Sequence, residues 1–348
     1  MKRILVTGGA GFIGSALIRY IIQTQEDVVV NLDKLTYAGS LDRLEGLESS
    51  PRYFFEKVDI SDHSKIELIF NQYQPQAVIN LAAETHVDRS IDKPSDFIWT
   101  NIIGTHTLLE VSTRYWQSLS APEQKAFRFI QVSTDEVFGD IEQARRLSKE
   151  GDAYRPSSPY AASKASADHL VMAWHRTYGL PAIVTYCSNN YGLFQFPEKL
   201  IPLMILNALE GKPLPVYGDG EQVRDWIYVE DHVRALSLIL QKGRVGEQYN
   251  ISANQQIKNI ELINLLCARL EQIVGGGKNY GKLITFVPDR PGHDRCYGLD
   301  SSKIRSELGW QTAETLESGI TKTIKWYLAN QHRYSNYSRS RLGLGGLV

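Results

Sequence analysis

Only three cysteines occur in the 348 residues, Cys187, Cys267 and Cys296, separated by 80 and 29 positions. An odd number at such spacing builds neither a disulfide framework nor a Cys-x-x-Cys zinc unit; it predicts reduced thiols in a cytoplasmic protein. Neither sign of charge is in excess: 38 Lys and Arg face 39 Asp and Glu, a net charge of −1. No bulk field is left to hold nucleic acid, and no acidic surplus to keep the chain disordered. No run approaches the ~18 apolar residues of a membrane span. The opening MKRILVTGGAGFIG breaks its apolar stretch with glycines too early for a signal peptide. Histidines such as His63, His106 and His169 lack metal-like spacing, so no metal is expected.

What is present reads as a globular chain, 43% hydrophobic and 22% charged, long enough for two domains at about 150 residues each. Short β-branched and apolar runs at 3–7, 28–32, 53–58, 77–82, 127–132 and 182–187 predict buried parallel strands. Helical patterns lie between most of them, through Ile13–Ile21 and around 62–73, 98–116 and 160–177. The alternation predicts an α/β fold, a Rossmann-type doubly wound parallel sheet. After residue 192 prolines and glycines cluster and the rhythm breaks. The expected organisation is a dinucleotide-binding domain over 1–192 that also receives 229–252. A smaller mixed α/β substrate lobe takes 193–228 and 253–330, with helices near 259–273 and 315–329. A flexible Ser-, Arg- and Gly-rich tail covers 331–348.

Gly8, Gly11 and Gly14 lie between the first strand and the first helix. Glycines there let the backbone approach a pyrophosphate, and the helix N-terminus offers free N–H groups to it. Asp33 follows 19 residues after Gly14, at the end of the second strand. A carboxylate there accepts ribose hydroxyls and repels a 2′-phosphate, favouring NAD over NADP, with Lys34 beside it. Asp59 and Ile60 close the third strand toward the adenine, and Leu81, Ala82 and Ala83 close the fourth with small groups.

Tyr160 and Lys164 form a Y-x-x-x-K pair on one helix face. An ammonium near a phenol favours phenolate, which takes a hydroxyl proton while hydride leaves the carbon. Ser133 and Thr134 end the fifth strand, and Asp135 and Glu136 follow at once. Removing water from a sugar needs one acid and one base, and two adjacent carboxyls supply both if their environments separate their pKa values. An epimerase has no need of the pair.

Together these features resemble the extended short-chain dehydrogenase/reductase superfamily, over residues 3 to about 330. Within it, the stretches STDEVFG (133–139), SPYAASKASADHLV (158–171), SNNYG (188–192), QFPEKLIPL (195–203), YGDGEQVRDWIYVEDHVRAL (217–236) and DRPGHDR (289–295) resemble the dTDP-glucose 4,6-dehydratases. That resemblance implies dTDP-glucose as substrate and tightly held NAD. Tyr160 deprotonates the C4 hydroxyl, Glu136 removes the C5 hydrogen and Asp135 protonates the departing C6 hydroxyl, with Thr134 on the C4 oxygen and Lys164 on the nicotinamide ribose. It adds Phe12, Ile13, Leu35, Thr36, Thr85, Thr100, Ser133, Cys187 and Asn190 to the cofactor contacts. On the substrate side it implies Thr85, His86, Asn189, Lys199, Leu200, Pro215, Tyr217, Arg224, Asn259, Arg290 and His293. It also implies a homodimer built on the 98–116 and Tyr160 helices.

The chain departs from the family pattern at Tyr186, where arginine is frequent, at Leu193, where proline is usual, and at Cys296, where arginine is common. These positions bear on the substrate pocket. The acid–base pair touches only the sugar, so UDP-glucose stays open as the nucleotide. A silent NAD-binding scaffold is the reading of another class, against which the four groups Tyr160, Lys164, Asp135 and Glu136 speak together.

Overall fold

The computed structural model describes residues 1–141 and 146–334. The first half alternates strand and helix: β1 (Arg3–Thr7), α1 (Phe12–Thr24), β2 (Val28–Leu32), β3 (Tyr53–Glu56), α2 (His63–Tyr73) and β4 (Ala77–Asn80). Short helices α3 (Val87–Asp92) and α4 (Pro94–Phe97) lead through a π-helical stretch, Ile98–Gly104, into α5 (Thr105–Ser118). Then come α6 (Ala121–Ala126), β5 (Arg128–Thr134), α7 (Pro159–Tyr178), β6 (Ala182–Cys187) and β7 (Asn189–Tyr191). The remainder is α8 (Leu200–Leu209), β8 (Leu214–Tyr217), β9 (Val223–Tyr228), α9 (Val229–Lys242), β10 (Gln248–Ile251), β11 (Gln256–Lys258), α10 (Asn259–Val274), β12 (Ile284–Val287), α11 (Ser302–Leu308) and α12 (Leu316–Ala329).

Seven strands form one sheet in the order β10-β6-β5-β4-β1-β2-β3, every pairing parallel. Alternation along the strands sends side chains to two faces, both buried. Ile4 and Val6 pack with Leu17 and Ile21 of α1 and with Val233 and Leu236 of α9. Leu5 packs the other way, with Phe70 of α2, Leu108 of α5 and Val171 of α7. The second core joins Ile205 of α8, Trp226 of β9, Leu266 of α10 and Ile324 of α12. Two small sheets belong to this part, β11-β9-β7 and β12-β8. Thus α9 and β10 pack into the large sheet although they follow β8 and β9 in the chain.

Several boundaries differ from expectation. β3 ends at Glu56 and β4 at Asn80, so Asp59, Ile60 and Leu81–Ala83 lie in the turns beyond. Thr7 fixes the second turn: its hydroxyl takes the N–H of Ala82 at 3.1 Å and shares that of Leu81 with its own carbonyl, each at 3.2 Å. β2 likewise ends at Leu32, just before Asp33. The start of the expected tail is ordered: Gln331–Tyr334 form a 3-10 turn, and Tyr334 is buried with its ring 5.4 Å from that of Tyr327. The rest of that tail, 335–348, lies outside the described residues. Among the described residues, no helix is long and apolar enough to cross a membrane.

Candidate active site

At the carboxyl ends of the parallel strands, Gly8 has φ +68° and a Cβ there would stand 2.7 Å from the Ala82 nitrogen. A Cβ on Gly14 would overlap the Gly8 carbonyl oxygen. The loop therefore folds on itself and against the β4 turn in a way that only glycine permits. α1 begins at Phe12, with Ile13 next, and no side chain caps it from Gly11. Its first N–H groups are thus left for an anion. Asp33 takes N–H groups from Ala10 at 2.9 Å and Leu35 at 2.8 Å, fixing the loop. Burial raises its pKa against those bonds.

A cleft beside this loop is lined by Gly8, Asp33, Lys34, Thr36, Asp59, Ile60, Ala82, Ala83 and Thr100. The Lys34 ammonium bonds the Thr100 hydroxyl at 3.1 Å and faces Asp59 at 3.4 Å. Thr100 comes from the π-helical stretch, which also presents Asn101. That amide exchanges bonds with the main chain of Glu84 at 2.9 and 3.0 Å and donates to Ser163 at 2.8 Å. Sequence periodicity gave no sign of the π turn, a feature frequent at functional sites.

Next along the sheet, β5 carries Ser133 and Thr134, and the following 3-10 turn carries Asp135 and Glu136. Asp135 is buried, bonded by the Thr134 hydroxyl at 3.2 Å, and its Oδ2 has no hydrogen-bond partner among the described residues. Burial, then the Glu136 charge, push the Asp135 carboxyl up to about 8. Burial also raises Glu136, but Arg290, Arg224 and Lys199 all oppose this by favouring its charge. Burial raises both carboxyls, and they differ in the charges around them. Three cations from distant segments converge on Glu136, while burial and that neighbouring charge keep the Asp135 proton on.

α7 starts with Ser158 capping the Ala161 N–H at 3.1 Å, which sets Tyr160 in its first turn. Both Tyr160 and Lys164 are buried. Burial, then the charges of Glu136, Cys187 and Asp135, hold the phenol well above its ordinary value, with the Thr134 hydroxyl opposing. The expected stabilisation of phenolate by Lys164 is not what governs it here. The ammonium instead donates to the Val132 carbonyl at 2.7 Å, and its favourable charge partner is Asp168, then Cys187. Ser133 donates to Asp168 at 2.5 Å. Cys187 reaches the Ser133 carbonyl at 3.5 Å, and Asn190 binds His232 at 2.9 Å.

On the other side, Lys199 donates to the Thr85 carbonyl at 3.0 Å. His86 lies 3.8 Å from Glu198, and burial drives its pKa down to about 3, leaving it neutral. Tyr217 and Arg290 both reach Asp88, at 3.3 and 3.4 Å, and the His293 ring stands edge-on to Tyr217. His293 is held by Asp289 at 2.6 Å. Arg224 is buried, spread on the Tyr297 ring at 4.3 Å and bonded to the Asp294 carbonyl at 2.9 Å. Asn189 is in β7 beside Trp226, with a buried unpartnered Oδ1 among the described residues. Leu200 and Asn259 open α8 and α10, and Pro215 is in β8. Tyr186, one of the departures, is fully buried, its hydroxyl 2.5 Å from that of Tyr154. Sequence reasoning missed Asp88, Asn101, Asp168 and Glu198; isolated acids and amides carry no spacing signal, and only the fold brings them to the site.

A family model described as GDP-mannose 4,6 dehydratase matches residues 5–323. A dTDP-glucose 4,6-dehydratase of Neisseria meningitidis serogroup B is 56% identical over 354 residues, covering 99% of this chain and 100% of that protein. The crystal structure of the dTDP-glucose 4,6-dehydratase from Streptomyces venezuelae, with NAD bound, superposes with a TM-score of 0.88 at 40% identity, covering 96% and 99% of the two chains. A UDP-glucose 4-epimerase of Thermotoga maritima shares the fold at 32% identity and a TM-score of 0.82, covering 94% and 99%. The 56% identity over 99% of the chain, against 32% to the epimerase, shows that the chain belongs to the dTDP-glucose 4,6-dehydratase family.

Proposed function

We infer that this protein is an NAD-dependent hydro-lyase that converts dTDP-glucose to dTDP-4-keto-6-deoxyglucose and water. The observation that carries the reading is the pair of adjacent carboxyls in the turn after β5: Asp135, buried with an unpartnered Oδ2 among the described residues, and Glu136, whose charge Arg290, Arg224 and Lys199 favour against burial.

The glycine loop, the free first turn of α1 and the cleft along Asp33, Thr36 and Thr100 fit a dinucleotide; they would hold its pyrophosphate and adenosine. Bound NAD+ supplies a hydride acceptor for C4 and afterwards a hydride donor for C6. The chain's own groups manage the protons. Tyr160, hydrogen-bonded by Thr134, accepts the proton of the C4 hydroxyl as phenolate, a form that the positive charge of a bound nicotinamide would have to favour against the burial that raises the phenol. A ketone at C4 then acidifies the C5 hydrogen, which Glu136 removes as base; the cations around it favour the carboxylate needed. Asp135, protonated near neutrality, delivers its proton to the departing C6 hydroxyl, which leaves as water, and as hydride returns to C6 the proton taken by Glu136 goes back to C5. The order follows from acidity, since C5–H is inert until C4 is a carbonyl.

Arg224, Lys199 and Arg290 would pair with the diphosphate, and Tyr217 would stack on the base. We assign 1–192 with 229–252 to the cofactor and 193–228 with 253–330 to the nucleotide sugar. The exposed Ile98, Trp99 and Ile103 on the helix beside α7 support pairing with a second copy. Three buried cysteines fit a reducing cytoplasm.

The test is mass spectrometry of the purified protein incubated separately with dTDP-glucose and UDP-glucose, without added cofactor. Loss of one water from dTDP-glucose alone is expected. Loss from UDP-glucose instead would overturn the nucleotide assignment, and silence in both after addition of NAD+ would overturn the reaction.

A further inference from the structure

Arg43 sits in a short 3-10 turn, Leu41–Leu44, yet its side chain is buried, 6% exposed. Its guanidinium reaches three separate segments. Nη1 donates to the Ala10 carbonyl of the glycine loop at 2.8 Å and to the Ala38 carbonyl at 2.6 Å. Nε donates to the Phe194 carbonyl at 3.0 Å. Phe194 itself is in the left-handed region, φ 65°, which turns that carbonyl inward at a backbone cost. Arg19 braces the arrangement from behind, bonding the Arg43 carbonyl at 2.6 Å and standing over the Phe194 ring at 4.5 Å.

These segments border the proposed cofactor cleft and the sugar site together. The Ala38 segment follows Asp33 and Thr36, which line the cleft. The strap that begins at Phe194 runs on to Glu198, bonded by Tyr37 at 3.3 Å, and to Lys199. A planar fork with five donors serves three carbonyls on different sides in a fixed geometry that the compact three-donor ammonium of lysine does not reproduce. The Ala10 carbonyl would keep the Ser40 N–H at 3.0 Å, but the half-buried Ala38 and Phe194 carbonyls would lose the donor that ties them to it.

We propose that Arg43 is a positioning residue for cofactor retention, locking the glycine loop, the segment after Asp33 and the Phe194–Lys199 strap into one unit so that the dinucleotide stays bound between turnovers. The proposal rests on the cofactor reading above. A reaction that returns its own hydride has no use for cofactor exchange, and a mobile strap would permit it.

The experiment measures the release rate of NAD+ from wild-type protein, Arg43→Met, Arg43→Lys and, as a control for general destabilisation, Leu270→Ala in the second core. Arg43→Met is expected to release NAD+ at least about tenfold faster, with Arg43→Lys between it and wild type. Leu270→Ala is expected to lower the melting temperature without changing the release rate. Turnover of Arg43→Met without added cofactor should fall and recover on adding NAD+. A release rate for Arg43→Met within about twofold of wild type, or an equal rise in Leu270→Ala, overturns the proposal. If Arg43→Met does not fold, hydrogen exchange on the wild type decides. Joint protection of the Ala38 and Phe194 segments on adding NAD+ supports it, and protection of the glycine loop alone overturns it. Wild-type protein that binds no NAD+ would instead sink the cofactor reading itself.

Discussion

The Lys164 ammonium and the Asp168 carboxyl are one helical turn apart on α7, and each is the other's main favourable charge partner. Lys164 also donates to the Val132 carbonyl at 2.7 Å, and Ser133 donates to Asp168 at 2.5 Å. The helix that bears Tyr160 is thus fastened to β5, which bears Thr134, by a lysine and an aspartate acting on successive residues of that strand. Gln131 and Tyr154 also favour the charged form of Asp168, while burial pushes it up to about 7.

Asp168→Asn tests what that pair does. Burial lowers the Lys164 pKa, and Asp168 opposes this more than Cys187 does. Without the carboxylate the ammonium gives up its proton at lower pH. The alkaline limb of kcat/KM is therefore expected to move down by about one pH unit or more, equivalent to about 1.4 kcal/mol of lost interaction. The check is a full pH–rate profile of both proteins. A uniform drop at every pH would mean that Asp168 only packs.

The acid and the base should separate under isosteric substitution. Asp135→Asn keeps the shape but has no proton to deliver, and Glu136→Gln cannot take one. Each is expected to lose about 10²- to 10⁴-fold in water elimination, the usual worth of a positioned acid or base. Both should retain oxidation at C4, because that proton goes to Tyr160. The check is product mass for elimination and the reduced-nicotinamide absorbance for oxidation. Full turnover by either variant would refute its role.

The sheet and the loop were legible because each depends on local pattern. Buried parallel strands are continuous apolar runs, and the constraint at Gly8 is a property of one residue and its immediate turn. Asp135 beside Glu136 was legible for the same reason. The partners of Lys164 were not: Val132 and Asp168 each lie in an ordinary strand or helix pattern, and only packing reveals that the ammonium serves them before it serves Tyr160. The π turn that presents Thr100 and Asn101 was hidden because a single wide turn barely disturbs a helical hydrophobic period. Nothing in the sequence around Arg43 foretells three carbonyls from residues 10, 38 and 194.

The raised carboxyl of Asp135 has a consequence for stability without ligands. Its pKa moves from 3.8 to about 8 on folding, so between those values the folded chain holds a proton that the unfolded chain has released. Its contribution is most favourable below 3.8 and is lost as the pH rises to about 8. Asparagine does not titrate. The melting temperature of cofactor-free Asp135→Asn, relative to wild type, is therefore expected to rise steadily with pH across that window. Parallel melting curves for the two proteins would show that Asp135 is not raised in the fold.

Gly8 offers the sharpest separation of cofactor binding from folding. At φ +68° an alanine would carry the ordinary left-handed penalty, about 1–2 kcal/mol. Its Cβ would also meet the main chain of Ala82, a turn fixed by the Thr7 hydroxyl and unable to yield freely. Relief comes by moving the glycine loop, which takes the first turn of α1 and the Asp33 bonds with it. Gly8→Ala is expected to purify without NAD, to bind added NAD+ at least about tenfold more weakly, and to melt only a few degrees lower. The check is the nucleotide content of the purified protein beside a calorimetric titration. Normal NAD content in Gly8→Ala would mean that the loop has more room than its contacts show, and that the cofactor is held chiefly from the Asp33 side of the cleft.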